Sequence, residues 1–261
     1  MENKLFTDQL GREVAIPFPP RRIVSVVPSQ TELLYHLGLA DEVTGITKFC
    51  VHPDHWFRSK TRIGGTKQLH VDQIIALQPD LIIANKEENE KSQIDVLMEH
   101  CPVWVSDIHT LENACEMIVK VGEITGRATP AQELAMEIQQ RFASLPTRLL
   151  PVPTAYFIWR NPWMVAANGT FIDQMLQYCG FENIFKDRRR YPEVQLHELR
   201  HAQLILLSSE PYPFKAQHIA EIQEQAPQAR IELVDGEMFS WYGSRLLQSV
   251  DYFLSLQATL R

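Results

Sequence analysis

The sequence predicts an α/β protein of two lobes, each a parallel sheet with flanking helices, joined by one long helix. Three observations carry that prediction. Residues 71–83 (VDQIIALQPDLII) and 194–206 (VQLHELRHAQLIL) repeat one order: a helix-like stretch, a polar hinge, an apolar strand. Each copy is followed by a polar helical segment, about 89–100 and 214–226, and by a short strand ending in aspartate, CPVWVSD at 101–107 and ARIELVD at 229–235. Between the copies, a helical stretch at 130–145 runs into PTRLLPVP, whose three prolines make a stiff boundary rather than a flexible hinge. The predicted domains are residues 1–126, a connecting helix within 127–150, and residues 151–261. Lobes of that size each bury a core, and a cleft between lobes is a common place for a small ligand.

The elements follow in order. Phe6 to Val27 reads as a hairpin turning at Asp8–Gly11, a crossing interrupted by Pro17, Pro19 and Pro20, and a buried strand at Ile23–Val27. Pro28 and Ser29 start a helix; Ser29 and Glu32 stand at capping-box spacing, and Gly38 supplies the C-cap. A strand at Val43–Thr47 leads into a long loop carrying FCVHPDHWF and then GGTKQL, ahead of the first repeated unit. LENACEMIVKVGEITG is helical and closes at Gly126. Thr129 as N-cap with Pro130 at the first position starts the connecting helix, whose apolar face is Leu134, Ile138, Phe142 and Leu145. The second lobe opens with a strand at Thr154–Trp159, a turn at Asn161-Pro162, a short strand at Trp163–Ala166 and a helix ending at Gly180. A helix from about Ser244 to Ala258 closes the chain. Strands alternating with helices in both lobes predict parallel sheets.

Bulk properties narrow the function. Hydrophobic content of 45% and charged content of 22% are those of an ordinary globular chain. A net charge of −7 argues against nucleic acid, which demands a basic face. No apolar run approaches the roughly 18 residues of a membrane span. MENKLFTDQL contains no apolar signal core. Two locations therefore stay open: cytoplasmic if Met1 is the native start, periplasmic or cell-surface if an export signal was trimmed. Cys50, Cys101, Cys115 and Cys179 form no CxxC, and the apolar contexts of the last three predict buried free thiols.

No GxSxG, GxGxxG after a strand, P-loop or HExxH is present, so the common catalytic machineries lack their parts, and neither an enzyme nor an intrinsic cofactor is expected. Cys50-Val51-His52-Pro53-Asp54-His55 is the one metal-like cluster. A closed site needs three or four converging donors. Structural zinc, a loop in which His52 touches a ligand or its metal, and a packed histidine loop stay open, and no metal site is assigned. Trp159, Trp163, Phe239, Trp241 and Tyr242 fall at strand ends or in loops of the second lobe, with Phe49 and Trp56 in the first. Core packing is the plain alternative for Trp159. Phe239 to Ser244 lacks the periodicity of a core segment, and aromatic faces in a loop suit a large, flat, partly apolar ligand. Arg245 either meets a ligand carboxylate or phosphate or is an ordinary surface arginine. Glu87, Glu88 and Glu90 follow the first repeated strand and Glu210 the second; they make either solvated loop faces or acidic patches for a partner with paired arginines.

These residues resemble a known family. TDQLGREVAIPFPPRRIVSVVPSQTELLYHLGLADEVTGIT is similar to the opening of the substrate-binding proteins of metal-chelate ABC importers, with their D-x-x-G-R turn and serine-proline helix start. Ile75 to Ile83 resembles the family's A-L-x-P-D-L-I-I element, and LQYCGFENIFKD resembles its G-x-x-N-I-F segment, most closely as found in cobalamin-binding members. The resemblance implies two Rossmann-like lobes with parallel sheets joined by a single long α-helix, the class III periplasmic-binding-protein architecture of the helical-backbone metal receptors. It implies capture of cobalamin in the cleft for an ABC permease dimer, or of a ferric siderophore or haem on the same fold. Ligand contacts are implied at Phe49, His52 and Lys67 and from Phe239 to Arg245. With the strand-end tryptophans the candidate set is Phe49, His52, Lys67, Trp159, Trp163, Phe239, Trp241, Tyr242 and Arg245. Glu90 and Glu210 are implied as transporter-docking acids. His52 replaces an aromatic of the cobalamin-binding members, which favours a directly ligated metal or haem. The alternative of a different class is a cytoplasmic metal-handling protein or enzyme on this scaffold.

Overall fold

The structure is a computed structural model and describes residues 2–146 and 150–260. Residues 147–149 of the proline-rich boundary lie outside the described residues. The chain divides into two compact units: Met1–Ile108, Glu112–Gln139 and Tyr242–Arg245 form unit 1, and His109–Leu111, Gln140–Trp241 and Leu246–Arg261 form unit 2.

Unit 1 begins with an antiparallel hairpin of β1 (Glu2–Thr7) and β2 (Glu13–Phe18). The Asp8 carboxylate organises its turn, accepting from Leu10 N and Arg12 N at 2.9 Å each and pairing with the Arg12 guanidinium. Then come β3 (Ile23–Ser25), α1 (Pro28–His36), β4 (Val43–Ile46), α2 (Asp54–Ser59), β5 (Thr61–Arg62), β6 (Gly64–Gly65), β7 (Gln68–Leu69), α3 (Val71–Ala76), β8 (Leu81–Asn85), α4 (Lys91–Met98) and β9 (Val103–Ser106). Five of these strands form a parallel sheet in the order β5-β4-β3-β8-β9. Ile23, Val24, Leu81, Ile82 and Ile83 are fully buried, so these strands read as continuous apolar runs rather than alternating ones. Each such side chain contributes roughly 1.5–3 kcal/mol.

Two local expectations at α1 part company. Gly38 closes the helix at φ +75°, with Leu39 N donating to Leu34 O at 3.1 Å. The capping box does not form: Val27 is the N-cap and bears no side-chain cap, because Pro28 takes the first helical position and carries Ser29 into the first turn. Ser29 Oγ is buried there without a hydrogen-bond partner, and Glu32 pairs with Arg245 instead.

After α5 (Leu111–Thr125), α6 (Ala128–Ala143) carries the chain from unit 1 to unit 2, the division falling between Gln139 and Gln140. It starts one residue ahead of the expected cap. Thr129 and Pro130 lie in its first turn, where a missing N–H loses no intrahelical bond. Leu134, Ile138 and Phe142 are buried at the expected spacing.

Unit 2 contains β10 (Val152–Trp159), β11 (Met164–Val165), α7 (Phe171–Tyr178), β12 (Phe181–Asn183), a 3-10 turn at Leu196–His201, β13 (Leu204–Ser208), α8 (Ala216–Gln223), β14 (Arg230–Val234), α9 (Glu237–Ser240) and α10 (Leu246–Thr259). Its sheet runs β11-β10-β13-β14, with β12 also alongside β10; these pairings are parallel except that of β11. Phe157, Leu199, Ile205, Leu207, Phe214 and Ile222 belong to its core. The helix-like stretch of the second repeat is the 3-10 turn rather than an α-helix: Leu196 and Leu199 are three apart, matching the 3-10 period, and Gln195 with Glu198 caps so short a segment. Phe239 belongs to α9, not to a loop. All four cysteines are buried free thiols, and among the described residues no helix is long and apolar enough to cross a membrane.

Thr170 caps α7 by accepting from Asp173 N at 3.1 Å. Thr170→Ala should lower stability by about 1 kcal/mol, read as a lower urea midpoint at unchanged m value.

Candidate functional site

In unit 1 a belt of small buried polar side chains lies at the carboxyl ends of the parallel strands, where loops must leave the sheet without stranding their backbone groups. Asn85, the last residue of β8, accepts from Glu87 N and Glu88 N with its Oδ1 and donates to Ser106 Oγ. Gln30 donates to the same Ser106 hydroxyl. Asn89 accepts from Asn85 N at 2.8 Å and donates to Val26 O at 3.1 Å and Thr66 O at 3.2 Å. One amide thereby fixes the exits of β3 and β8 and the turn between β6 and β7.

Of the predicted ligand residues of unit 1, Lys67 lies in the turn that Asn89 holds. Phe49 is 50% exposed. Its N–H donates to Thr47 Oγ1, and its ring lies over Gly65, where a Cβ would stand 3.1 Å from Phe49 Cε2. A side chain at this glycine would press the ring aside by a few tenths of an ångström. Lys67 is exposed, but its ammonium donates to Glu87 O at 2.8 Å, so it braces the loop after β8 rather than standing free for a ligand. His52 is half-buried. Cys50 does not join it as a metal donor: its Sγ is buried against Thr31 and Thr47 hydroxyls at 3.0 and 3.1 Å, and burial pushes the thiol up to about 11. His55 is exposed and edge-on to Tyr35. Among the described residues no group of three or more histidine, cysteine or acidic side chains is placed to hold a metal.

Tyr242 to Arg245 also belong to unit 1. Arg245 makes a two-pronged ion pair with Glu32 of α1, at 2.9 and 2.8 Å, with both side chains largely buried. Tyr242 OH donates to Glu88 Oε1 at 2.6 Å. Gly243 between them adopts φ +121°, which brings its Cα against Ser29 O and Leu33. The expectation of a ligand-facing Arg245 is corrected to this extent: its guanidinium fork is already occupied by a carboxylate of matching geometry.

In unit 2, Trp159 at the end of β10 is 40% exposed and edge-on to Tyr212, the ring centroids 5.7 Å apart. Trp163 is half-buried, stacked on Phe214 at 6.2 Å and 8°, with the Arg160 guanidinium 5.5 Å from its ring centroid. Phe239 is a correction, being 0% exposed and packed on Tyr156 and Phe253 at 5.1 and 4.9 Å. Its place in α9 turns it into the core. Trp241 is buried, and its indole N–H donates to Glu210 Oε1 at 2.9 Å, beside the Ser240 hydroxyl at 2.6 Å. Glu210 is therefore drawn inward rather than projecting as a docking acid, whereas Glu90 is exposed at the N-cap of α4. Two concavities within single units, about 570 Å³ beside Tyr178 and Phe181 and about 410 Å³ beside Met98 and Cys101, include none of the predicted ligand residues.

Of the aromatic residues predicted to meet a ligand, two are exposed, Phe49 and Trp159. Sequence reasoning missed Glu32, which it assigned to a cap, and Asn89, whose bonds run to segments distant in sequence. It also missed Lys48, although that residue adjoins Phe49.

The family described as periplasmic binding protein matches residues 23–223. A vitamin B12-binding protein of Vibrio cholerae serotype O1 is 26% identical over 191 residues, 71% of this chain and 69% of that protein. Among solved structures, the periplasmic vitamin B12-binding protein of Vibrio cholerae superposes with TM-score 0.76 at 22% identity, covering 93% of this chain and 98% of that one. A periplasmic haem-binding protein of Pseudomonas aeruginosa superposes with TM-score 0.78 at 20% identity, covering 92% of each chain. At such identities the structural likeness shows the fold alone. Binding of a substrate is the property these proteins share.

Asn89→Ala removes two donors and an acceptor from buried backbone groups and should lower stability by about 2–4 kcal/mol, measured by urea unfolding. A second prediction concerns pH. Burial holds the Glu210 carboxyl above its ordinary 4.5, opposed by the Ser240 and Trp241 bonds and reinforced by Glu237 and Asp235. The folded protein binds this proton more tightly than the unfolded chain, so the contribution is present at low pH and is lost as pH rises through the folded value. Glu210→Gln keeps the acceptor oxygen and should gain in stability on the unsubstituted protein between about pH 4 and about pH 7. Urea titrations at both pH values check this; an advantage that shrinks toward the higher pH refutes it.

Proposed function

We propose that this chain, which belongs to the periplasmic binding protein family, is a non-enzymatic receptor that captures a corrinoid such as cobalamin for an ABC importer. The observation that carries the reading is the exposed aromatic face of Phe49 in unit 1, whose ring lies over Gly65; in unit 2, Trp159 is exposed as well. An exposed aromatic ring suits the face of a large, flat, partly apolar ligand and needs no covalent chemistry to hold it. The kinship with vitamin B12-binding proteins supports the same choice.

The charged residues add to it. An anionic ferric siderophore calls for arginines with free forks, and Arg245 is committed to Glu32 while Lys67 is committed to Glu87 O. Neither of these two predicted basic residues is therefore offered to an anionic siderophore. Haem is the second reading, favoured by His52, a half-buried imidazole that the resemblance implies as a ligand contact. Delivery to a permease dimer places the receptor outside the inner membrane, with Glu90 as an exposed docking acid.

Titration with cyanocobalamin, haemin and a ferric hydroxamate, followed by tryptophan quenching and absorbance, tests the reading. Cobalamin should bind most tightly, and Phe49→Ala should weaken it at least about tenfold, or roughly 1.4 kcal/mol. Tight haemin binding without cobalamin binding would establish the second reading instead. Binding of none of the three sinks both.

A further inference from the structure

Lys48 leaves β4 immediately before the exposed Phe49. It is exposed, and among the described residues its ammonium enters no hydrogen bond or ion pair; its neighbour is the Phe49 ring, with Nζ 5.1 Å from the centroid. Lys4 likewise lies over a ring, 3.9 Å from the Phe18 centroid, but on the hairpin of β1 and β2; several other lysines are used differently. Lys86, Lys91 and Lys186 each sit on a carboxylate at 2.5–2.6 Å, and Lys67 caps a carbonyl. Lys48 is nevertheless firmly based: its N–H donates to Gly64 O at 2.8 Å. Gly65 supports both side chains at once, since a Cβ there would stand 3.3 Å from Lys48 Cε as well as 3.1 Å from the Phe49 ring. An apolar plane and a cation without a counter-charge are therefore built side by side on one two-stranded turn.

We propose that Lys48 is a specificity-determining residue: it binds an anionic oxygen group carried at the edge of a macrocycle whose face rests on Phe49. This rests on the receptor reading above and deepens it by naming the ligand's charged feature. A complete corrinoid carries one such group, the phosphate diester of its nucleotide loop, and haem carries carboxylates. Both present anionic oxygen beside an extended apolar plane. A lysine reads either as a point charge rather than through a planar fork, and an exposed one loses that advantage as salt is added.

The test compares the unsubstituted protein with Lys48→Gln and Lys48→Arg, titrated at low ionic strength with cobalamin, cobinamide phosphate, cobinamide and haemin. Cobinamide lacks the phosphate while keeping the corrin plane. Lys48→Gln should bind cobalamin and cobinamide phosphate about three- to fivefold more weakly, the range for an exposed charge pair, and cobinamide unchanged. Lys48→Arg should restore most of the loss, and added salt should erase the difference. An equal loss for cobinamide would mean that Lys48 only seats the Phe49 ring, and no loss for the phosphate-bearing ligands would exclude the contact; either overturns the proposal while leaving the receptor reading intact. A selective loss for haemin, with no corrinoid bound by any of the proteins, keeps the lysine's role, moves the anion to a carboxylate and overturns the corrinoid reading. Failure of the unsubstituted protein to bind any of the four overturns both.

Discussion

Asn89 holds three backbone segments of unit 1 at once, among them the turn between β6 and β7 that carries Lys67. Parallel strands deliver their carboxyl ends to one edge of the sheet, and each loop leaving that edge has peptide groups that water reaches poorly. A buried amide with one acceptor and two donors satisfies three of them, at Asn85 N, Val26 O and Thr66 O. Asn85, Ser106 and Gln30 extend the same solution sideways. The turn that supports Phe49 and Lys48 is thereby tied to the strand exits, so aromatic and cation sit on a scaffold rather than on a loose loop.

The second constraint is the return of Tyr242 to Arg245 to unit 1. Trp241 and Leu246 on either side of these four residues belong to unit 2. The segment is secured by charge and shape together: the fork of Arg245 on Glu32, the phenol of Tyr242 on Glu88, and a left-handed Gly243 that admits the close approach to α1. Removing one partner from so buried an ion pair is costly because the other keeps its desolvation penalty. Residues that look like free recognition groups in sequence are structural here. Of the aromatic residues predicted to meet a ligand, Phe49 in unit 1 and Trp159 in unit 2 are exposed.

Glu210 shows how the same residue type can take opposite roles in two similar places. After β8, Glu90 stands in solvent at a helix start. After β13, Glu210 meets an indole N–H and a serine hydroxyl supplied by α9 and the residue after it, and turns inward. The duplicated order of elements places both acids near strand ends, and their neighbours decide what each does.

The sequence by itself determined the class of fold, the order of nearly every element and the membership of the core. Those properties are written in short-range patterns: the unbroken apolar runs at Ile23 and Leu81, the helical spacing of Leu134, Ile138 and Phe142, the glycine that ends α1. It also singled out Phe49 and Trp159, aromatic side chains that the fold leaves exposed. Tertiary structure decided which polar and aromatic side chains are already spoken for. Glu32 and Arg245 are 213 residues apart, and Asn89 and Val26 are 63 apart. No local pattern announces such a pair, because the energy of a buried hydrogen bond or ion pair depends on who arrives opposite it. For the same reason Phe239 read as a ligand face and proved to be core, while Lys48, plain in sequence, is left with a ring beside it and, among the described residues, no counter-charge.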